Sequence, residues 1–287
     1  MKKIIRQLAM TVLILCLFTS CNYNTRNTGD TNKSLKDEKI LKVHFIDVGQ
    51  GDATLIELNG YTALIDAGPN FSSKRLVNYL RGEDIKRIDY IIATHPDEDH
   101  IGGMDEILKE FKVKNFYAPK LTKNTETFKK MVNELKKQNL KIIVPYQGME
   151  LDLGEEANLI FLTPLEYQWN NDNNFSLVTK INFKDTSILF MGDSESEVER
   201  QLLKDSHVLE SNIVKLGHHG SKSSTSIAFL DKVAADYAII SCGKNNKYGH
   251  PHKETIDKLD KLKIKYYRTD LDGNIIFRSD GDYIIKD

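Results

Sequence analysis

The tightest constraint on this chain is a run of six residues, His95-Pro96-Asp97-Glu98-Asp99-His100. Residues 88–93, just before it, are apolar but for Asp89, close to the pattern of a strand buried on both faces. The strand therefore delivers imidazole and carboxylate groups, ligand types that suit divalent metals, to one place. Alternating positions on an extended loop aim His95, Asp97 and Asp99 the same way. Gly102-Gly103 then lets the backbone turn tightly into the next helix. Asp-Glu-Asp alone would read as a solvated acidic turn. A histidine at each end and two glycines behind it favour a metal site.

The remaining pattern mixes strands and helices. Residues 41–48 alternate apolar with polar and break at Gly49-Gln50-Gly51-Asp52. Residues 53–58 and 62–66 meet at Asn59-Gly60, a strong hairpin signal. Further strands are expected at 141–145, 158–162, 176–183, 187–191, 213–216, 237–241 and 265–268. Helical spacing covers 75–81, 104–111, 127–138, 195–203, 227–234 and 254–263, and a terminal hairpin is expected to turn at Asp272-Gly273. There is no internal repeat. With 287 residues, 40% of them hydrophobic, the chain can bury a sizeable core. Two strand-rich halves, each closed by helices around one core, imply a layered α/β sandwich rather than a doubly wound parallel sheet.

The first residues read as export rather than fold. Lys2, Lys3 and Arg6 form a basic head, and an apolar run at 8–18 is short for a bilayer span. Thr19-Ser20-Cys21 follows and resembles a bacterial lipoprotein cleavage site, so residues 1–20 are expected to be a signal peptide and Cys21 a lipid anchor. An uncleaved membrane anchor is the other reading. Both place the rest outside the cytoplasm, on the extracytoplasmic face of the cell membrane. Polar residues 21–38 read as a flexible tether, leaving 39–287 as the folded domain. Cys242 would then be its lone cysteine, with no internal disulfide. Loss of residues 1–20 takes the net charge from -1 to -4. That balance argues against tight, extended binding of nucleic acid.

The six-residue run resembles the metal-binding signature of the metallo-β-lactamase superfamily, His-x-His-x-Asp-His, with Asp97 in place of the second histidine. The variant followed by Gly-Gly is similar to the extracellular hydrolase domain of ComEC-type DNA-uptake proteins. Other stretches fit in order: His44 to Ala53, Leu64 to Gly68, Met191-Gly192-Asp193, Lys215 to Ser221 and Tyr248 to His252. The resemblance covers about residues 41–285. It implies a four-layered αββα sandwich of the α+β or α/β class. It also implies two divalent ions, Zn²⁺ or Mn²⁺. One would be held by Asp99, His100, His218 and a bridging Asp193, the other by His95, Asp97 and Asp193. The wider superfamily supplies a further histidine where this chain reads Asn171 to Ser176, so filling of the second position stays open. Asp97 in place of histidine hardens the site and shifts preference toward Mn²⁺.

A metal-activated water would be the nucleophile, and two ions suit a phosphodiester. Lys215, Lys222, Lys244 and Lys247, with Ser221 and Ser224, offer a basic, donor-rich rim for phosphate oxygens, although solvated lysines are an equal reading. Asp99 is assigned to catalysis. His219 and His250 are candidates to orient substrate or protonate a leaving group, and His219 is as readily structural. Asp47 and Asp52 read best as turn caps, and Asp66 as support for the ligand loop. Trp169 and Tyr167 fit core packing or a loop anchor better than base stacking. The leading reading is a phosphodiesterase or nuclease. Its alternatives are hydrolysis of a lactone, thioester or lactam, and a binding lipoprotein with a vestigial site. The substrate and the membrane are the expected partners, and nothing in the sequence calls for an obligate protein partner.

Overall fold

Strands that are apolar on both faces need cover on both sides, and the chain supplies it by stacking two sheets between helices. This computed structural model describes residues 39–165, 168–204 and 209–287. The expected signal, Cys21, the tether and Tyr167 fall outside those residues. Six strands come first: β1 (Leu41–Phe45), β2 (Thr54–Leu58), β3 (Tyr61–Ile65), β4 (Arg87–Ile92), β5 (Lys112–Tyr117) and β6 (Ile142–Ile143). Seven follow: β7 (Glu150–Asp152), β8 (Ala157–Phe161), β9 (Thr179–Phe183), β10 (Thr186–Phe190), β11 (Ile213–Lys215), β12 (Tyr237–Ile240) and β13 (Lys265–Arg268). The last two, β14 (Ile275–Ser279) and β15 (Ile284–Lys286), return to the first group. The result is an eight-stranded sheet ordered β15-β14-β1-β2-β3-β4-β5-β6 and a seven-stranded sheet ordered β13-β12-β11-β10-β9-β8-β7.

Alternation along each strand sorts its side chains between layers. Val43, Phe45 and Ile56 from one sheet meet Ile181, Ile188 and Phe190 from the other in a central core. Phe45 is fully buried there, with its ring centroid 6.1 Å from that of Phe190, and such burial contributes about 1.5–3 kcal/mol. The opposite faces pack outward. Leu55, Leu64 and Ile91 meet α1 (Ser73–Gly82), α2 (Glu98–Ile101), α3 (Met104–Glu110) and α4 (Glu126–Lys137). Leu189, Val214 and Ala238 meet α5 (Ser196–Leu202), α6 (Ile227–Val233) and α7 (Lys253–Leu262). The expected αββα sandwich is the observed one. Trp169 packs at the margin of this second outer layer.

Of the two expected hairpin turns, one is found and one changes. Asn59-Gly60 does join β2 to β3, with φ of 54° and 80°, as a type I′ turn requires. Asp272-Gly273 does not turn the last hairpin. Those residues end a short helix, α8 (Thr269–Asp272), where Asp272 Oδ2 accepts from the Arg268 N–H at 2.8 Å. The β14–β15 turn lies at Asp280, whose carboxylate accepts from the N–H groups of Asp282 and Tyr283.

Gly102 and Gly103 also act differently from the expected tight turn. Gly102 has helical angles, φ -59° and ψ -37°. What both need is room: a Cβ on Gly102 would collide with backbone at Pro69-Asn70, and one on Gly103 with the Ala67 carbonyl. The missing side chains let α2 lie directly against the end of β3. Gly102→Ala should therefore cost about 1–3 kcal/mol by overpacking, read as a lowered Tm.

Candidate metal centre

The loops that leave the C-terminal ends of β1, β3, β4, β10, β11 and β12 gather at one end of the sandwich. Backbone hydrogen bonds lock them together: the Asp52 N–H donates to Asp99 O at 3.1 Å and the Ala67 N–H to His100 O at 2.7 Å. Asp193 sits at the centre, just after β10, where Gly192 takes φ 54°. Its carboxylate faces four imidazoles. Oδ1 lies 3.2 Å from His100 Nε2, and Oδ2 lies 3.4, 3.9 and 3.9 Å from the Nε2 atoms of His219, His95 and His218.

Each of these rings is held from behind through Nδ1. His100 Nδ1 is 2.7 Å from Asp66 Oδ2, and His219 Nδ1 is 2.9 Å from the Ser241 carbonyl. His218 Nδ1 is 3.1 Å from Glu195 Oε1. His95 Nδ1 is 3.3 Å from Thr94 Oγ1, whose own proton goes to Asp66 Oδ2 at 2.7 Å. Four acceptors behind four rings favour a proton on each Nδ1, which leaves Nε2 as the atom each ring turns toward Asp193.

The residues fit a divalent cation. Asp52, His100, Asp193 and His219 are all buried, and one ligand atom from each lies within 4.8 Å of all the others. Nε2 of His95, His100 and His219, Oδ1 of Asp193 and Oδ1 of Asp52 are buried without a hydrogen-bond partner, a cost that bound cation removes. The electrostatics agree. Burial opposes charge on His100 and His219, yet Asp193 with Asp66 or Asp52 raises both well above the usual histidine value. Burial likewise opposes charge on Asp193, but His100 and His219 hold it well below the carboxylate range. The pocket is built to contain positive charge.

The ligand set differs from the expected one in three respects. First, His219 rather than His218 is the deeper histidine. Its Nε2 also lies 3.2 Å from Asp99 Oδ2, which places it with Asp99, His100 and Asp193. His218 remains at the edge, its side chain one-quarter exposed. Both take left-handed backbone angles, φ 48° and 55°, which turn adjacent side chains toward one carboxylate. Second, Asp52 is buried in the cluster, not a turn cap. The turn role belongs to Asp47, whose Oδ1 accepts from the Gly49 N–H at 2.9 Å. Third, Asp97 lies 3.8 Å from His95 Nε2 but is ion-paired with Lys123, which also reaches Asp172 at 3.2 Å. The Asn-rich loop, which lacks the superfamily's histidine, serves His218 indirectly. Asn173 Nδ2 donates to Glu195 Oε1 at 3.2 Å, and Asn174 Oδ1 accepts from the Glu195 N–H at 3.0 Å.

The expected phosphate rim is smaller than the sequence suggests. Lys215 is only 2% exposed and ion-pairs with Asp52, so it faces the interior. The Ser224 hydroxyl donates inward, to the Gly217 carbonyl at 2.8 Å or that of Ser221 at 3.0 Å. Ser221 is buried with its Oγ 3.0 Å from Ser223 Oγ. Only Lys222, Lys244 and Lys247 of the expected donors stand in solvent. Lys247 lines a cleft of about 530 Å³ together with Asp97, Glu98 and Asp99. His250 sits between, its ring 5.4 Å from that of His218. Gln50 Oε1 accepts from the Gly243 N–H, which turns Gln50 Nε2 toward His250 Nδ1 at 3.5 Å. Burial and the neighbouring His219 and His218 push His250 down to about 4, so the ring is neutral at pH 7 and suits hydrogen bonding better than acid catalysis.

Comparison with known proteins follows the same lines. The family model "Metallo-beta-lactamase superfamily" matches residues 46–244. "ComE operon protein 3" of Bacillus subtilis is 31% identical over 255 residues, covering 83% of this chain and 33% of that protein. "Recombination protein 2" of Haemophilus influenzae is 29% identical, covering 82% of this chain and 28% of its own length. The chain thus spans about a third of the curated relatives it matches. Among solved structures, the metallo hydrolase Igni18 from Ignicoccus hospitalis superposes with a TM-score of 0.57 at 16% identity, covering 83% of this chain and 98% of that one. The metallo-beta-lactamase fold protein YhfI from Bacillus subtilis gives 0.56 at 11% identity, covering 83% and 100%.

Proposed function

The chain belongs to the metallo-β-lactamase superfamily as a metal-dependent hydrolase with a buried His/Asp centre, and from there we propose that it is a phosphodiesterase or nuclease working outside the cytoplasm. The observation that carries the reading is the Asp193 hub: one carboxylate faced by four Nε2 atoms, with Asp97 and Asp99 partly open to a cleft. The name of one relative, "Recombination protein 2", points the same way, toward recombination. The leader and Cys21 support export with a lipid anchor.

His95, His100, His218 and His219, with Asp97, Asp99 and Asp193, would hold one or two divalent ions. Such ions supply a nucleophilic water at neutral pH and neutralise charge on phosphoryl oxygens. The chain's own residues do the rest. Asp66, Glu195, Thr94 and the Ser241 carbonyl hold the rings at their angles. His250, buried behind Tyr248, backs that ring, and Lys247 offers a point charge to a phosphate in the cleft.

Hydrolysis of single-stranded DNA, double-stranded DNA and bis-(p-nitrophenyl) phosphate, each with Mn²⁺ or Zn²⁺, tests the reading. Turnover of at least one phosphodiester is expected, with Asp99→Ala abolishing it. Turnover of lactones or thioesters alone would overturn the substrate class. Full phosphodiester rate in Asp99→Ala would overturn the site.

A further inference from the structure

Two exposed aromatic rings flank the cleft beside the centre. Phe71 is 77% exposed and Tyr248 52%, against a protein whose other phenylalanines include seven of the largest fully buried side chains. Both line the same cleft, together with Asp97 and Asp99. Neither ring stands free of the site's framework. Phe71 lies against Gly49, so closely that a Cβ there would meet its Cζ at 3.1 Å. Tyr248 stacks on His250 with centroids 5.6 Å apart and planes 20° apart. His250 in turn lies 6.0 Å from His219, so a ladder of rings runs from the metal centre into the cleft.

The polar groups of this cleft are spent on the protein. Asn246 Nδ2 donates to the carbonyls of Gly243 and His250, and its Oδ1 accepts from the N–H groups of Tyr248 and His250. Gln50 is occupied by Gly243 and His250. Besides the carboxylates of Asp97, Glu98 and Asp99 next to the centre, what the cleft offers a ligand is aromatic surface and one ammonium, Lys247, set 5.0 Å from the centre of the Tyr248 ring. That combination suits a flat π-system carrying a phosphate. Apart from those carboxylates and the Tyr248 hydroxyl, its lining has few polar groups that would distinguish one base from another.

We infer that Phe71 and Tyr248 form a stacking site for an unpaired nucleobase next to the scissile phosphate, with Lys247 contacting its phosphate. This rests on the phosphodiesterase reading and narrows its substrate to single-stranded or frayed nucleic acid, read without base preference. In a duplex the base faces are covered by their neighbours, so a paired strand presents nothing for the two rings to grip.

The test separates binding from hydrolysis. Fluorescence anisotropy of the full-length protein, in an Asp99→Ala background that stops turnover, compares labelled dT8 with its abasic analogue. The parent should favour dT8 by about tenfold or more, and Phe71→Ala with Tyr248→Ala should bring that ratio close to one. Tyr248→Phe, which keeps the ring, should preserve it. Equal affinity of the parent for both oligonucleotides would overturn the stacking site, as would an undiminished preference in the double alanine variant. If the preference holds while the native Asp99 protein cleaves no phosphodiester, the stacking site stands and the proposed reaction falls.

Discussion

Lys215→Met should lower stability by about 3–5 kcal/mol, because it removes one partner of a buried ion pair and leaves the other. Lys215 and Asp52 are both nearly inaccessible to solvent, and Lys215 Nζ also donates to the Gly192 carbonyl at 3.3 Å. Burial opposes the charge on Asp52, and Lys215 and His219 hold its carboxyl low. Without the ammonium, that carboxylate would sit beside Asp193 and Asp66 with less to balance it. For a domain of this size the loss corresponds to a Tm lowered by about 10 °C, measurable by calorimetry. The outcome also decides what the lysine does. A substrate-contacting lysine would raise KM and leave Tm in place, so an unchanged Tm with a raised KM would contradict the structural role.

Asp193→Asn should strip the protein of bound transition metal and reduce its hydrolytic rate by well over 100-fold. Removing a hydrogen-bonding partner behind a ligand costs roughly 10–100-fold in affinity or activity, and Asp193 is the group the ligands converge on. The amide keeps the volume of the carboxylate but not its charge, so His100 and His219 lose the neighbour that most raises them. Elemental analysis after dialysis and a rate measured beside it make the check. Native metal content with a native rate would show that the hub has been misidentified.

These two residues also show what could be read from the chain and what could not. The six-residue run, the downstream Asp193 and the paired histidines were visible because each follows a strand whose apolar pattern is plain. The sandwich was visible for the same reason. Which of His218 and His219 reaches deepest was not, since neighbours in sequence share every local signal. Their left-handed backbone angles, set by the surrounding loops, decide it. From sequence Lys215 reads as a surface phosphate contact, because its partner Asp52 lies 163 positions away and no periodicity records that pairing. Ser221 and Ser224 looked like donors to substrate, yet a tight loop consumes hydroxyls of its own to satisfy buried carbonyls. The pairing of Lys123 with Asp97, 26 positions apart, left no trace in sequence either.

The arrangement behind the four rings has a consequence for how this protein comes to hold its ion. Carboxylates, a carbonyl and a hydroxyl of the chain itself aim the imidazoles, so their direction is inherited from the scaffold. A socket made this way is finished before anything is plugged into it. Loading would then resemble the capture of a guest by a host whose imidazoles are already aimed.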